Sequence, residues 1–315
     1  MAPPDPRPAP PALTAPVWPG RQGLVLQAYR VGSRLAGLLP PRLATAVERP
    51  AGSALALALH RRRWLVERHL QRAYGGTLRP RALRRAGRRS LESYARYWIE
   101  SFRLPVLSGE EIDDGMWVEG LDHLDAALAA GRGAILALPH VGGWDFGGAW
   151  LVRRGYSVSA VVEQLQPPEL LAWFTSLRAK VGVQAIPLGP RAGSAVLAAL
   201  RANRVVVLLC DRDIGGGGVE VELFGERTTL PGGPMTLALR GRTAVLPTAV
   251  YFDGRQGHRG EIRPALAVER RGSLRDDVER LTQDLATELE SLIRAAPEQW
   301  HLLQPNWPSD RGYGG

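Results

Sequence analysis

Leu136-Ala-Leu-Pro-His140-Val-Gly-Gly-Trp-Asp145 decides how this chain is read. The run that leads into it, Ala134 to Leu138, is short and wholly apolar. That is the pattern of a strand buried on both faces. Pro139 closes the run, and His140 stands just past its carboxyl end, where open α/β sheets collect their ligands. Gly142 and Gly143 permit a tight turn and a close approach of substrate. Asp145 falls near the start of the next helix. Across a turn it can fold back onto the imidazole. A carboxylate on one ring nitrogen fixes the tautomer and leaves the other nitrogen as a base. The same residues also suit a histidine hydrogen-bonded at a strand end, with Asp145 serving as a helix cap.

Downstream, strand and helix patterns alternate. Val158–Val162, Val183–Pro187, Val205–Leu209 and Ala244–Phe252 read as strands, and Val219–Phe224 as an edge or hairpin strand. Helices are expected over Leu121–Ala130, Gly147–Arg154, Pro168–Lys180, Ser194–Ala202, Met235–Arg240 and Leu274–Arg294. This alternation predicts an α/β fold with a mixed, largely parallel sheet flanked by helices. Upstream the texture is different. Leu24–Leu39, Ala44–Tyr74 and Arg81–Phe102 read as three helices rich in Arg and Leu. The expected organisation is a Pro-rich tail over 1–20, basic amphipathic helices facing a membrane over 21–105, an α/β core over 106–307, and a flexible tail over 308–315.

Composition narrows the function classes. The chain has 315 residues, 40 Lys+Arg against 31 Asp+Glu, and a formal net charge of +9, which favours anionic partners. Lys180 is its only lysine. A single cysteine, Cys210, excludes a disulfide scaffold and any multi-cysteine metal site. Its place on an apolar strand makes it a packed core residue. The opening segment, with eight prolines before residue 20, is not a signal peptide. No apolar run reaches the roughly 20 residues of a membrane-spanning helix. Eleven arginines lie between Arg61 and Arg89. They describe either a solvated helix face or a surface for an anionic leaflet, each Arg worth on the order of 1 kcal/mol there. No helix-turn-helix, zinc-finger or RNP-like signature supports nucleic acid as a partner.

The stretch from His140 to Asp145 resembles the His-four-residues-Asp motif of the glycerolipid and lysophospholipid acyltransferase superfamily. It is most similar to the bacterial branch holding the lipid A late acyltransferases and the actinobacterial phosphatidylinositol mannoside acyltransferases. Other stretches agree in order: Ser93 to Pro105, Val161-Val-Glu163-Gln-Leu, Arg178-Ala-Lys-Val-Gly182, Asp211-Arg-Asp213, Gly218 to Gly225, Leu230-Pro-Gly-Gly-Pro234 and Gln299 to Trp307. The resemblance implies that His140 deprotonates an acceptor hydroxyl while Asp145 orients it, with no acyl-enzyme. By the same resemblance Glu163 lines the acceptor site and Arg178 binds the polar head. The Asp211-Arg212-Asp213 triplet, at another strand end, could bind acceptor hydroxyls or hold Arg178 by a bidentate pair. Two departures stand out: Gly143 replaces the Asn expected of such relatives, and Asp211 replaces a Glu.

The expected activity is therefore transfer of a fatty acyl chain from acyl-CoA, as co-substrate, to a mannose hydroxyl of a phosphatidylinositol mannoside. No cofactor or metal is implied. The expected partners are acyl-CoA, a glycolipid acceptor and an anionic membrane surface, and the expected location is peripheral, on the cytoplasmic face of the cell membrane. Alternatives are a lipid A-type or other glycolipid or lysophospholipid acyltransferase, a hydrolase using His140 as a base for water, and a basic lipid- or nucleic-acid-binding protein. The four glycines Gly215 to Gly218 lack the Gly-Lys-Ser/Thr ending of a phosphate-binding loop and read as a mobile loop beside the site. His301 reads as a core or interface residue.

Overall fold

The computed structural model describes residues 22–58, 60–310 and 312. The proline-rich segment over 1–20 lies outside the described residues. The chain runs α1 (Gln22–Leu38), α2 (Pro41–Ala58), α3 (His60–Ala73), α4 (Pro80–Arg103), α5 (Gly109–Asp114), β1 (Met116–Glu119), α6 (Leu121–Ala129) and β2 (Ala134–Leu138). It continues with α7 (Trp144–Arg153), β3 (Val158–Val162), α8 (Pro168–Lys180), β4 (Gln184–Pro187), α9 (Ala192–Arg201) and β5 (Val205–Leu209). The hairpin β6 (Val219–Leu223) and β7 (Glu226–Leu230) follows, then α10 (Gly233–Gly241), β8 (Ala244–Asp253), β9 (Gly257–Ile262) and α11 (Leu274–Ala295).

The main sheet has the order β1-β9-β8-β2-β5-β3-β4. Every neighbouring pair is parallel except β8 with β9. The expected α/β architecture with a mixed, largely parallel sheet and an N-terminal helical region is therefore present. β2 sits in the middle and is buried at every residue. Alternation along it sorts its side chains to two cores. Ile135 and Ala137 join a cluster with Val196 of α9, Met235 of α10 and Leu285 of α11. Ala134, Leu136 and Leu138 join Leu124 of α6 and Trp150 of α7. This burial explains why β2 and β5, both short apolar runs, were legible as strands.

The structure differs from the sequence expectation where the pattern is polar or brief. Ala44–Tyr74 falls in α2 and α3, with residue 59 outside the described residues. α5, β1, β7 and β9 have no counterpart in that expectation. β9 reads Gly-His-Arg-Gly-Glu-Ile and has no apolar run. It is a strand because it pairs with β1 on one side and β8 on the other. β7, Glu-Arg-Thr-Thr-Leu, is held by its hairpin partner β6.

The carboxyl-terminal segment is bound to the helical region by charge. Asp310, assigned by sequence to a flexible tail, is buried. Its carboxylate meets Arg68 at 3.1 Å, Arg72 at 2.9 Å and His69 at 3.2 Å. It also accepts from the backbone N–H groups of Asn306 and Trp307. The Arg72 guanidinium lies 4.0 Å over the Trp307 ring. Part of the arginine-rich stretch therefore clasps the end of the chain instead of facing solvent. Arg79, Arg81, Arg84 and Arg85 do remain exposed.

Removing one partner of a buried ionic cluster leaves the others uncompensated. Asp310→Ala is expected to cost on the order of 3 kcal/mol, read as a lower urea midpoint. A loss below about 0.5 kcal/mol, the size of a surface substitution, would contradict the clasp.

Candidate active site

Register places the central pair of the site. Leu138 of β2 is the partner of Leu209 on the parallel neighbour β5. Two residues beyond each, His140 and Asp211 come side by side. His140 Nδ1 lies 2.6 Å from Asp211 Oδ1, and the His140 backbone N–H donates to Asp211 Oδ2 at 3.0 Å. A carboxylate only accepts, so Nδ1 carries the proton. Nε2 makes no hydrogen bond among the described residues, and the ring lines a large cavity.

Asp211 is fully buried and does not line that cavity. Burial alone would push its carboxyl up. The charge and hydrogen bonds of His140, together with the Trp300 indole N–H donating at 2.8 Å, outweigh burial and hold it at about 2. Asn306 Nδ2 adds a bond to the Asp211 carbonyl at 3.1 Å. The segment bearing Trp300 also flanks the His140 loop. Gly142 N–H donates to the Gln299 carbonyl and His301 N–H to the His140 carbonyl. Gly142 has φ +60, and a Cβ there would lie 2.1 Å from the Val250 carbonyl oxygen, so glycine is required.

The two aspartates have exchanged the parts expected of them. Asp145 does not fold back on His140. It is the second residue of α7, and its side chain projects toward α4 and α8. Arg178 donates to it from Nε at 2.9 Å and from Nη2 at 3.1 Å, and Tyr97 OH donates at 2.9 Å. Burial by itself would lower the Arg178 pKa, but the Asp145 carboxylate more than offsets this and raises it. The bidentate pair with Arg178 is thus made by Asp145, not Asp211. Between Asp145 and His140 stands Trp144, edge-on to the imidazole at 5.4 Å and stacked on Tyr97 at 4.0 Å.

The cavity is about 780 Å³. Glu163, one residue past β3, lines it and accepts from Arg212 Nη2 at 2.6 Å. Arg178 lines it too. Val161, Leu188, Val196, Leu208 and Leu237 give it apolar lining. Tyr29, Tyr94, Tyr97 and Trp98 close another side, so α1 and α4 are part of the site. The loop Gly215–Gly218 lies at the cavity, tied down where Gly218 N–H donates to Asp213 at 2.8 Å. At Gly143 a Cβ would lie 2.7 Å from the His258 ring, so the Asn expected of relatives has no room here.

His301, read from sequence as core, is buried but also lines the cavity. Its Nε2 is bonded to Ser93 Oγ at 2.9 Å, and its Nδ1 is buried without a partner. Burial, then the nearby charge of His140, lowers its pKa to about 3, so the ring is neutral near pH 7. The available signal was its membership in the stretch Gln299–Trp307. Cys210 is buried, and burial pushes its thiol pKa up, away from nucleophilic use. Among the described residues, no group of three or more His, Cys, Asp or Glu is placed to hold a metal ion.

The arrangement offers one free imidazole nitrogen, oriented from behind by a buried carboxylate, at the wall of a cavity lined by both apolar and polar side chains. That can take a proton from a hydroxyl bound beside a long apolar chain. Because the Asp211 pKa is depressed, its stabilisation is present above the unfolded value of about 3.9 and is lost as pH falls toward 2. Trp300→Phe removes one donor to this carboxylate. The variant should lose about 1.5–3 kcal/mol at neutral pH, and the deficit should shrink below pH ~4. A deficit independent of pH would show that the indole contributes packing alone.

Residues 23–309 match the family model described as bacterial lipid A biosynthesis acyltransferase. The chain is 46% identical over 226 residues to a phosphatidylinositol mannoside acyltransferase of Mycobacterium tuberculosis, covering 70% of each chain. It is 41% identical over 226 residues to the protein of that name in Mycolicibacterium smegmatis, covering 71% of this chain and 72% of the relative. A lipid A biosynthesis acyltransferase of Haemophilus influenzae is 29% identical over 187 residues, 58% of this chain and 55% of its own. With its histidine and buried carboxylate set at the ends of adjacent parallel strands, the chain belongs to the bacterial lipid A biosynthesis acyltransferase family and is an acyltransferase.

Proposed function

We propose that the chain moves a fatty acyl group from acyl-CoA to a mannose hydroxyl of a phosphatidylinositol mannoside, with His140 as general base. The observation that carries this reading is the free Nε2 of His140, backed by Asp211, on a ring that lines a largely apolar cavity. Nε2 takes the proton of the acceptor hydroxyl as its oxygen attacks the thioester carbonyl. The tetrahedral intermediate then expels the CoA thiolate, which takes the proton back from His140. The acceptor gains an ester, and CoA leaves as a thiol. No acyl-enzyme forms. Asp211 stabilises the transient imidazolium, the part that resemblance had given to Asp145. Asp145 acts one layer back, holding Arg178 and Tyr97 in the cavity wall. Glu163, Arg178 and Arg212 supply charged groups for the acceptor's sugar and head.

The acceptor is inferred from relatives. Those named for mannosides are 41–46% identical over about seven-tenths of the chain, against 29% over a shorter span for the one named for lipid A. The cavity's apolar lining suits the donor's chain.

The same reading places the protein peripherally on the cytoplasmic face of the cell membrane. Among the described residues no helix is long and apolar enough to cross a membrane. Large apolar side chains are nevertheless exposed on the first two helices. Val31, Leu35 and Leu38 share one face of α1, Leu43 and Val47 follow on α2, and Val106 lies beside Gly37. Arg30 and Arg34 are exposed along α1. This mixture of apolar and cationic side chains is suited to an anionic leaflet. It lies within the 21–105 helices that the sequence reading turned toward a membrane, ahead of the arginine-rich stretch.

The activity is tested by thiol release from palmitoyl-CoA with and without the mannosylated acceptor. Release should depend on the acceptor and yield an acylated lipid, and His140→Ala should reduce it by at least about 10²-fold while the fold persists. Acceptor-independent release would identify a thioesterase instead. Leu35→Glu combined with Leu38→Glu should abolish sedimentation with anionic vesicles. Unchanged sedimentation of that variant would dissociate α1 from membrane docking.

A further inference from the structure

Arginines at the cavity differ in whether their charge is already answered. Arg178 is committed to Asp145, and Arg212 gives Nη2 to Glu163. Arg62, the third residue of α3, also lines the cavity. It has no ion-pair or hydrogen-bond partner among the described residues. Arg212 keeps a second donor in reserve, since its Nε is buried and bonded to nothing. Both arginines line the same cavity. Both act electrostatically on the Tyr94 hydroxyl, opposing the upward push of burial on its pKa. Tyr94 in turn lies 5.5 Å from the His301 ring, which is 5.7 Å from Trp144, the neighbour of His140. The unanswered charge is thus at the cavity, set back from the reacting histidine by a short chain of rings.

A sugar hydroxyl does not need a full cation, and an acyl chain avoids one. A phosphate ester needs both, a cation and directed N–H donors, and guanidinium groups meet phosphate oxygens with matched geometry. We propose that Arg62 and the free Nε of Arg212 form a site for a phosphate ester carried by one of the two substrates. The site rests on the acyl-transfer reading above. Two sources share this chemistry: the phosphodiester that anchors an inositol lipid, and the phosphates of CoA. Arg62 belongs to the helical layer whose outer face exposes Val31, Leu35 and Leu38, the layer at which a lipid phosphate would stand.

The test compares wild type, Arg62→Ala and Arg62→Lys. Steady-state arms use the phosphatidylinositol mannoside against an alkyl mannoside without phosphate, and palmitoyl-CoA against palmitoyl-N-acetylcysteamine. In Arg62→Ala the KM of one phosphate-bearing substrate should rise about tenfold or more, with Arg62→Lys recovering part of the loss. The rise should vanish with the phosphate-free analogue of that substrate. A rise for the mannoside assigns the site to the lipid phosphodiester, and a rise for palmitoyl-CoA assigns it to the donor. Equal losses with the phosphate-free analogues, or no change in either KM, would overturn the proposal. A binding arm does not depend on turnover: calorimetric titration with CoA and with detergent-dispersed phosphatidylinositol. If wild type transfers no acyl group, the functional reading fails. The anion site still stands if Arg62→Ala weakens one of these two bindings about tenfold, and falls if it weakens neither.

Discussion

A buried carboxylate with three donors aimed at it governs this structure. Asp211 takes the imidazole Nδ1 and the backbone N–H of His140 from one side and the indole N–H of Trp300 from the other. An ionised carboxylate in the protein interior is costly unless it is paired and hydrogen-bonded. That demand draws elements far apart in sequence together: β2 carries His140, β5 carries Asp211, and the segment after α11 carries Trp300. The result is a histidine whose tautomer and orientation are settled before any substrate arrives.

The supports of this pair reach outward in layers. The segment that supplies Trp300 bonds to the His140 loop along its backbone and continues to Asp310, which is clamped to α3 through Arg68, His69 and Arg72. α3 also carries Arg62 to the cavity wall. On the other side, Asp145 binds Arg178, Tyr97 and Ser101, joining the start of α7 to α8 and α4. The helical region is thus not an appendage of the α/β core. It forms one wall of the cavity, and its outer face carries the exposed apolar side chains.

How far sequence reached depends on the kind of signal. β2 and β5 are continuous apolar runs, and their limits could be read directly because burial within a parallel sheet demands such a run. His140 was legible because it follows one of them between a proline and two glycines. Its partner was not. Asp145 was the nearer carboxylate in sequence, whereas the choice of Asp211 is made by strand order and register, which place β5 next to β2. No local pattern contains that information. β1 and β9 went unread for a related reason: β1 is only four residues long and β9 is polar, and both are strands because neighbours supply hydrogen bonds. His301 was visible as part of a stretch shared with relatives, but its place in the cavity lining arises from tertiary packing.

The central claim is that Asp211, not Asp145, sets the protonation of His140. The most direct measurement is the pH dependence of kcat/KM for acyl transfer in wild type, Asp211→Asn and Asp145→Asn. Removing a negative charge bonded to Nδ1 disfavours the imidazolium, so Asp211→Asn should move the acid limb to lower pH and depress the plateau. Asp145→Asn should leave the acid limb in place, whatever its effect on the plateau. An acid limb that moves in Asp145→Asn and stays fixed in Asp211→Asn would contradict the account.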